Sequence, residues 1–238
     1  MLKTISEAVF SLVFPVSCEL CGTLLPSGGA LGVCRNCQNS IPLIAPPWCA
    51  GCGRNVLKGE ALCAHCRNEH FHFDRAFACV YYDEKMKKLL HAFKFERRRS
   101  LLPFFKELFE RFSQQYLPQA PWNLVVPVPM DEAHERERGF NQARLFSAMI
   151  AKKSGKAHAP QALSCRKAGS LQSSLSKSER KKNAADRFFV QKTEGIASAH
   201  ILLVDDILTT GQTASACAKT LKAAGARTVS VLALARGI

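Results

Sequence analysis

Apolar and polar residues are arranged differently in the two parts of the chain. Through residue 75 the apolar runs are short, and Gly, Pro and Cys break them every few positions. Such text predicts turns and knuckles rather than long elements. From residue 76 regular periods set in. AFACVYY at 76–82 predicts a strand, and 83–95 places Met86, Leu89, Leu90 and Phe93 at helical spacing. A second helix is expected over 101–117, where Pro103 is tolerable in the first turn. NLVVPV at 123–128 predicts a short apolar strand, and 138–153 a helix. The Ser/Lys/Arg-rich stretch 164–186 reads as a loop with a helical part. A buried strand is expected at 200–204, a helix at 213–224 ended by Gly225, and a last strand at 228–235. Apolar strands alternating with helices predict an α/β fold with a mostly parallel sheet flanked by helices. The expected organisation is a small module over 1–75 and an α/β domain over 76–238.

The first module carries its own chemistry. Eight of the 11 cysteines form four CxxC pairs: Cys18/Cys21, Cys34/Cys37, Cys49/Cys52 and Cys63/Cys66. Two thiolates on one tight knuckle reach a single ion, and two knuckles complete a tetrahedral four-cysteine zinc site. A secreted disulfide framework fits poorly, because no secretory signal is visible and the cysteines come in chelating pairs. Two structural Zn2+ ions are expected. Sequential pairing (18/21/34/37, then 49/52/63/66) is the simple scheme, and an interleaved one is open. The apolar run AVFSLVFPV at 8–16 is much shorter than the ~20 residues of a membrane span. It reads as a short helix packed on the body, with no membrane span. Reduced, metal-bound thiols predict a cytoplasmic protein.

Charge sharpens this division. The 238 residues carry 33 Lys+Arg against 19 Asp+Glu, formally +14, so an anionic partner is expected. Eight thiolates on two zinc ions contribute −4. The first 75 residues then move from +1 to −3, and the chain from +14 to +10. The basic part is therefore the α/β domain, above all 76–120 and 161–200. That argues against the zinc module acting alone as a DNA-gripping finger.

The sharpest motif is ILLVDDILTTGQT at 201–213. Four apolar residues bury a strand, Asp205 and Asp206 emerge at its end, and a hydroxyl-rich loop with Gly211 opens a helix. Backbone N–H groups and Thr hydroxyls at a helix start cradle phosphate. Adjacent carboxylates accept hydrogen bonds from sugar hydroxyls or help hold Mg2+. Together they point to a phosphorylated sugar.

This motif resembles the phosphoribosyl pyrophosphate (PRPP) motif of type I phosphoribosyltransferases. Val126-Pro127-Val128-Pro129 is similar to a pyrophosphate-loop segment. Arg138-Gly139-Phe140-Asn141-Gln142 resembles the RGFNQ signature of the ComF (competence protein F) family, which includes GntX-like proteins. Arg166, Gln172, Leu175, Arg180, Asn183 and Phe188 fall on that family's next pattern, with Ser170 where Thr is more usual. Tyr82, Lys88, Leu89, Lys94 and Phe95 fit its first helix, and a double zinc ribbon also fits. The resemblance implies a phosphoribosyltransferase-like fold that binds PRPP with Mg2+. Asp205 and Asp206 would hold the ribose hydroxyls. Thr209, Thr210, Gly211, Gln212 and Thr213 would wrap the 5′-phosphate, and Val128 would approach the pyrophosphate. Arg166 and Arg180, in a flap over the site, would neutralise pyrophosphate as it leaves.

The family's association is DNA uptake in natural transformation. Lys94, Arg97, Arg98 and Arg99 beside Phe95 are candidates for single-stranded DNA, by phosphate contact and base stacking. Two alternatives stand beside a PRPP-binding factor in DNA uptake. One is an active phosphoribosyltransferase with a nitrogenous acceptor, for which no residue declares itself the base. The other is an adaptor whose zinc module docks a protein of the DNA-uptake machinery.

Overall fold

The computed structural model describes residues 16–25, 31–117, 121–166 and 187–237. The cysteine-rich part forms two knuckle-and-helix units. Each begins in a small turn closed by an antiparallel bridge, Ser17 with Leu24 and Trp48 with Asn55. Each ends in a five-residue helix, α1 (Arg35–Asn39) or α2 (Ala64–Asn68), whose preceding cysteine, Cys34 or Cys63, stands in extended backbone.

The remaining strands are β1 (Arg75–Tyr81), β2 (Leu124–Pro127), β3 (Ala157–His158), β4 (Leu163–Cys165), β5 (Phe188–Val190), β6 (His200–Leu208) and β7 (Thr228–Arg236). Five of them make one parallel sheet in the order β1-β7-β6-β2-β3. The remaining pair, β4 and β5, forms a separate antiparallel ribbon. The larger helices are α3 (Glu84–Phe95), α4 (Leu102–Tyr116), α5 (Glu132–Arg138), α6 (Gln142–Ser154) and α7 (Gln212–Ala223).

Period-two alternation divides each long strand between two cores. Leu202, Val204, Leu232 and Leu234 face Phe93, Phe105, Phe112 and Phe146 from α3, α4 and α6. Ile201, Leu203, Val229 and Val231 face Ala214, Cys217, Ala218 and Leu221 of α7. Burying each such Phe or Leu contributes roughly 1.5–3 kcal/mol. The rings of Phe93, Phe105 and Phe146 contact one another at 5.2–5.9 Å.

The cysteine-rich part is docked on this body. The Ile44 N–H donates to the Cys79 carbonyl at 2.9 Å, and Trp48 packs on Phe77, Phe112 and Tyr116. Gly53 has φ +70, and a Cβ there would collide with the Ala76 carbonyl. Only glycine allows the second knuckle to lie this close to β1.

Several expected boundaries move. The helix expected over 138–153 starts only at Gln142, because Arg138 ends the separate helix α5 and Gly139 turns left-handed at φ +79. That break lets Phe140 reach the core and puts Asn141 at the cap of α6, accepting from the Arg144 N–H. The strand expected at 200–204 continues to Leu208, because β7 pairs with it through Arg236. Asp205 and Asp206 therefore stand within a strand. Residues 163–165, inside or beside the expected loop, pair with 188–190. These short elements, like α5 and β3, carry too few apolar residues for a visible period. The expected N-terminal helix falls almost entirely outside the described residues, as do Gln172, Leu175, Arg180 and Asn183.

Candidate ligand cleft and metal centres

The sheet order places a crevice before any side chain is considered. From β2 the chain crosses through α5 and α6 to β3 on one side. From β6 it crosses through α7 to β7 on the other. The β2/β6 boundary is thus where the winding direction reverses, and parallel sheets open a ligand crevice at the carboxyl ends there. The pairing shows how it opens. β2 stays with β6 as far as Pro127 opposite Val204, and the Val128 N–H donates to the Val204 carbonyl at 2.9 Å. Beyond that point β6 runs on with β7 alone.

The resulting cleft holds about 270 Å3. Val128, Pro129 and Met130 line one side, and Asp205 and Asp206 the other. Lys94, Asp131, His134, Arg138, Gln142 and Arg187 complete the walls. A larger groove of about 550 Å3 lies between α4 and α6, lined by Phe109, Trp122 and Met149. It lies away from the carboxyl ends of the strands, and its charges, Lys106, Glu110, Lys153 and Lys156, include no acidic pair.

The acidic pair is asymmetric. Asp206 receives Lys94 Nζ at 2.6 Å, with both side chains largely buried. Asp205 accepts the Asp206 N–H at 2.8 Å. Burial, and then the Asp206 charge, push the Asp205 carboxyl up to about 8, against the pull of that N–H and of Lys94. At neutral pH Asp205 thus keeps its proton and can donate as well as accept. The pair offers no open dicarboxylate of its own to a divalent cation, because the Lys94 ammonium already holds Asp206.

The RGFNQ segment has a mechanical role. Asn141 Nδ2 donates to the Val128 carbonyl at 3.1 Å, which fixes the turn after β2. Gln142 is fully buried, receives Arg138 Nη1 at 3.4 Å, and leaves its Nε2 without a partner at the cleft wall. Asp131, a nearly buried carboxylate, caps α5. It binds His134 Nδ1 at 2.7 Å and Arg187 Nη2 at 3.3 Å. Burial would raise its pKa, but the His134 N–H and ring together with Arg187 outweigh this and hold it below the usual value. Sequence reading assigned no role to Asp131, His134 or Arg187. A D-x-x-H spacing just after a strand end was the available signal for the first two, and nothing local marks Arg187.

The structure brings Val128, Asp205 and Asp206 together around the cleft. Residues 209–213 form the turn from β6 into α7 at the same strand end, beyond the cleft walls. Arg166 follows β4, donates its N–H to the Arg187 carbonyl at 2.9 Å, and lies over the Phe189 ring at 5.4 Å. Lys94 parts company with the arginine run, because it points at Asp206. Arg97 donates to the Glu137 carbonyl at 3.2 Å, Arg98 lies near Glu19 and Glu96, and Arg99 lies over the Phe140 ring at 5.2 Å. Each of these three is exposed but locally engaged.

The cysteines pair sequentially, which decides between the two schemes left open. Cys18, Cys21, Cys34 and Cys37 form one cluster and Cys49, Cys52, Cys63 and Cys66 the other, each with its four Sγ atoms within 4.8 Å of one another. The Cys21–Cys34 and Cys52–Cys63 sulfurs are 3.6 and 3.7 Å apart. A zinc tetrahedron with 2.3 Å bonds has edges of about 3.8 Å, so both clusters fit that ion. In both, a backbone N–H (Cys34, Cys63) donates to the first sulfur (Cys18, Cys49) at 3.3 Å. Burial raises Cys49, but N–H groups of Cys63, Cys52 and Gly51 bring it down to about 7.

Residues 9–67 match the double zinc ribbon domain family. Competence protein F of Haemophilus influenzae is 28% identical over 86% of this chain and 90% of its own length. Competence protein ComFC of Bacillus subtilis is 31% identical over 86% of this chain and 84% of its own. This chain belongs to the ComF family. Among solved structures, the glutamine PRPP amidotransferase of B. subtilis is similar to 54% of the ComF-family chain. It matches at 18% identity with a TM-score of 0.40, and this chain spans 25% of it. Among the described residues of this family member, no helix is long and apolar enough to cross a membrane.

Proposed function

We propose that this ComF-family protein binds PRPP in the β2/β6 cleft and serves DNA uptake in natural transformation. The observation that carries the reading is the converging chemistry of the cleft. An acidic pair for sugar hydroxyls faces a backbone turn held by Asn141, inside a ring of Lys94, Arg138 and Arg187. A sugar bearing a pyrophosphate needs acceptors for its hydroxyls and cations for its oxygens, a few ångströms apart. Asp206 accepts from one ribose hydroxyl, and protonated Asp205 donates to or accepts from the other. The loop 209–213 takes the 5′-phosphate. Mg2+ enters with the pyrophosphate rather than through a carboxylate site in the chain. The two clusters suit structural zinc, and thiols kept reduced for metal support a cytoplasmic location. The names of the competence relatives support the DNA-uptake role.

One observation favours phosphoribosyl transfer as a second reading. His134, fixed through Nδ1 by Asp131, leaves Nε2 as the ring nitrogen for a proton from an acceptor. Calorimetric titration with PRPP tests the first reading, and pyrophosphate release against bases, nucleosides and single-stranded DNA tests the second. Binding by wild type that Asp206→Asn weakens at least about tenfold supports the first. No binding by wild type ends it.

A further inference from the structure

Arg236, at the end of β7, is 1% exposed. The strand TVSVLALAR is otherwise an apolar central strand, so a guanidinium here bears a heavy desolvation cost. Its hydrogen-bond partners show what it holds. Nη1 donates to the Leu208 carbonyl at 2.6 Å, to the Thr209 carbonyl, and to the Gly237 carbonyl at 3.1 Å. Among the described residues its Nε has no hydrogen-bond partner, and none of the partners of Nη1 is a carboxylate. Burial raises the Cys52 thiol, and the guanidinium acts against this.

Those two loop carbonyls matter because of peptide geometry. In a trans peptide the C=O and the following N–H point in opposite directions. Drawing the Leu208 and Thr209 carbonyls inward turns the N–H groups of Thr209 and Thr210 outward, as an anion cradle requires. The second cluster supports the loop as well. Gly211, at φ +82, lies against the Phe71 ring, where a Cβ would come within 3.0 Å. Phe71 packs on the cluster cysteines, and the His72 N–H donates to Ser215 Oγ at 3.0 Å in the first turn of α7.

We propose that Arg236 is the positioning residue of the 209–213 loop, and that the second zinc cluster braces the same loop through Phe71 and His72. Zinc at Cys49, Cys52, Cys63 and Cys66 would thereby set the affinity of the phosphate site from behind. This rests on reading 209–213 as the phosphate loop, so the test has one arm that needs no ligand. Amide hydrogen exchange is followed by mass spectrometry on the full zinc-loaded chain, on Arg236→Met and Arg236→Lys, and on wild type after zinc chelation. The expected result is exchange at 209–213 about tenfold faster or more in Arg236→Met and after chelation, while β2 and α6 stay protected. Arg236→Lys, with one ammonium for three carbonyls, should fall between. In the ligand arm, PRPP affinity should drop in the same order. Unchanged loop exchange in both Arg236→Lys and chelated wild type overturns the proposal, as does an increase spread evenly over all amides. If wild type binds no PRPP while loop exchange responds as expected, the positioning role stands and the PRPP reading fails. Should Arg236→Met not fold, the lysine variant and the chelated protein still decide.

Discussion

The two zinc clusters have the same ligand set and differ in surroundings. In the first, Cys21 is exposed and Cys34 and Cys37 are half-buried. It leans on the outer helices through Lys88, which donates to the Leu20 carbonyl at 3.2 Å. All four cysteines of the second are buried, against β1 on one side and the loop after β6 on the other. An identical coordination motif thus packs its first knuckle into the helical core in one place and lies beneath the turn after β6 in the other. The spacing of CxxC pairs cannot distinguish these roles, because coordination is local and docking is not.

The sharpest way to break the comparison is to remove one ligand from each. Cys52→Ser should lose one zinc per chain and cost about 3 kcal/mol or more, because it leaves a buried, half-made site next to Arg236. Cys21→Ser should also lose one zinc but lower Tm clearly less. Zinc content by mass spectrometry together with thermal melting checks both, and equal drops in Tm would erase the distinction. Next in size is Gly53→Ala, which forces a left-handed residue into the Ala76 carbonyl. A loss of about 2 kcal/mol is expected in denaturant unfolding, and Gly59→Ala, which has open space, should lose less.

The cleft has a pH signature of its own. The folded pKa of Asp205, about 8, lies above its ordinary 3.8. The folded state therefore holds a proton that the unfolded chain has released between these values. The contribution to stability is full below about pH 4 and is lost as pH rises toward 8. Water at the cleft edge screens the effect, so Asp205→Asn should be more stable than wild type by about 1–3 kcal/mol at pH 8. The gain should vanish near pH 4. Melting curves across this range check the sign, and a gain that grows toward acid pH would contradict it. The smallest expected effect belongs to the arginine run beside the first cluster. Replacing Arg97, Arg98 and Arg99 together by Ala should reduce the salt slope of single-stranded DNA binding by about 2, with PRPP affinity unchanged. A slope equal to that of wild type would remove this patch from DNA contact.

Legibility followed element length and locality. Helices α3, α4 and α7 and strands β1, β6 and β7 have long apolar periods and stood in the sequence within one to four residues of their ends. The corner at Gly139 did not, because the charged α5 before it shows no apolar period and only the burial of Phe140 requires the corner. The acid pair and its loop were visible as a motif. Lys94 was read with its neighbours Arg97–Arg99, since sequence proximity hides that α3 ends at Phe95 and the chain turns left-handed at Arg97, so the arginines leave the helix face that carries Lys94. Arg236 received no role, because the last strand was expected to stop at residue 235.

By itself, the sequence determined the alternating α/β order, the eight thiolates in chelating pairs, and the strand–acid–loop–helix motif, because each is written in contiguous residues. The tertiary structure alone decided the sequential pairing of the cysteines, the union of Val128 with Asp206 across the switch point, and the hold of Arg236 on the Leu208 and Thr209 carbonyls. These join residues far apart in the chain. Their meeting depends on which strands become neighbours, and that is settled by packing the whole sheet between its two cores.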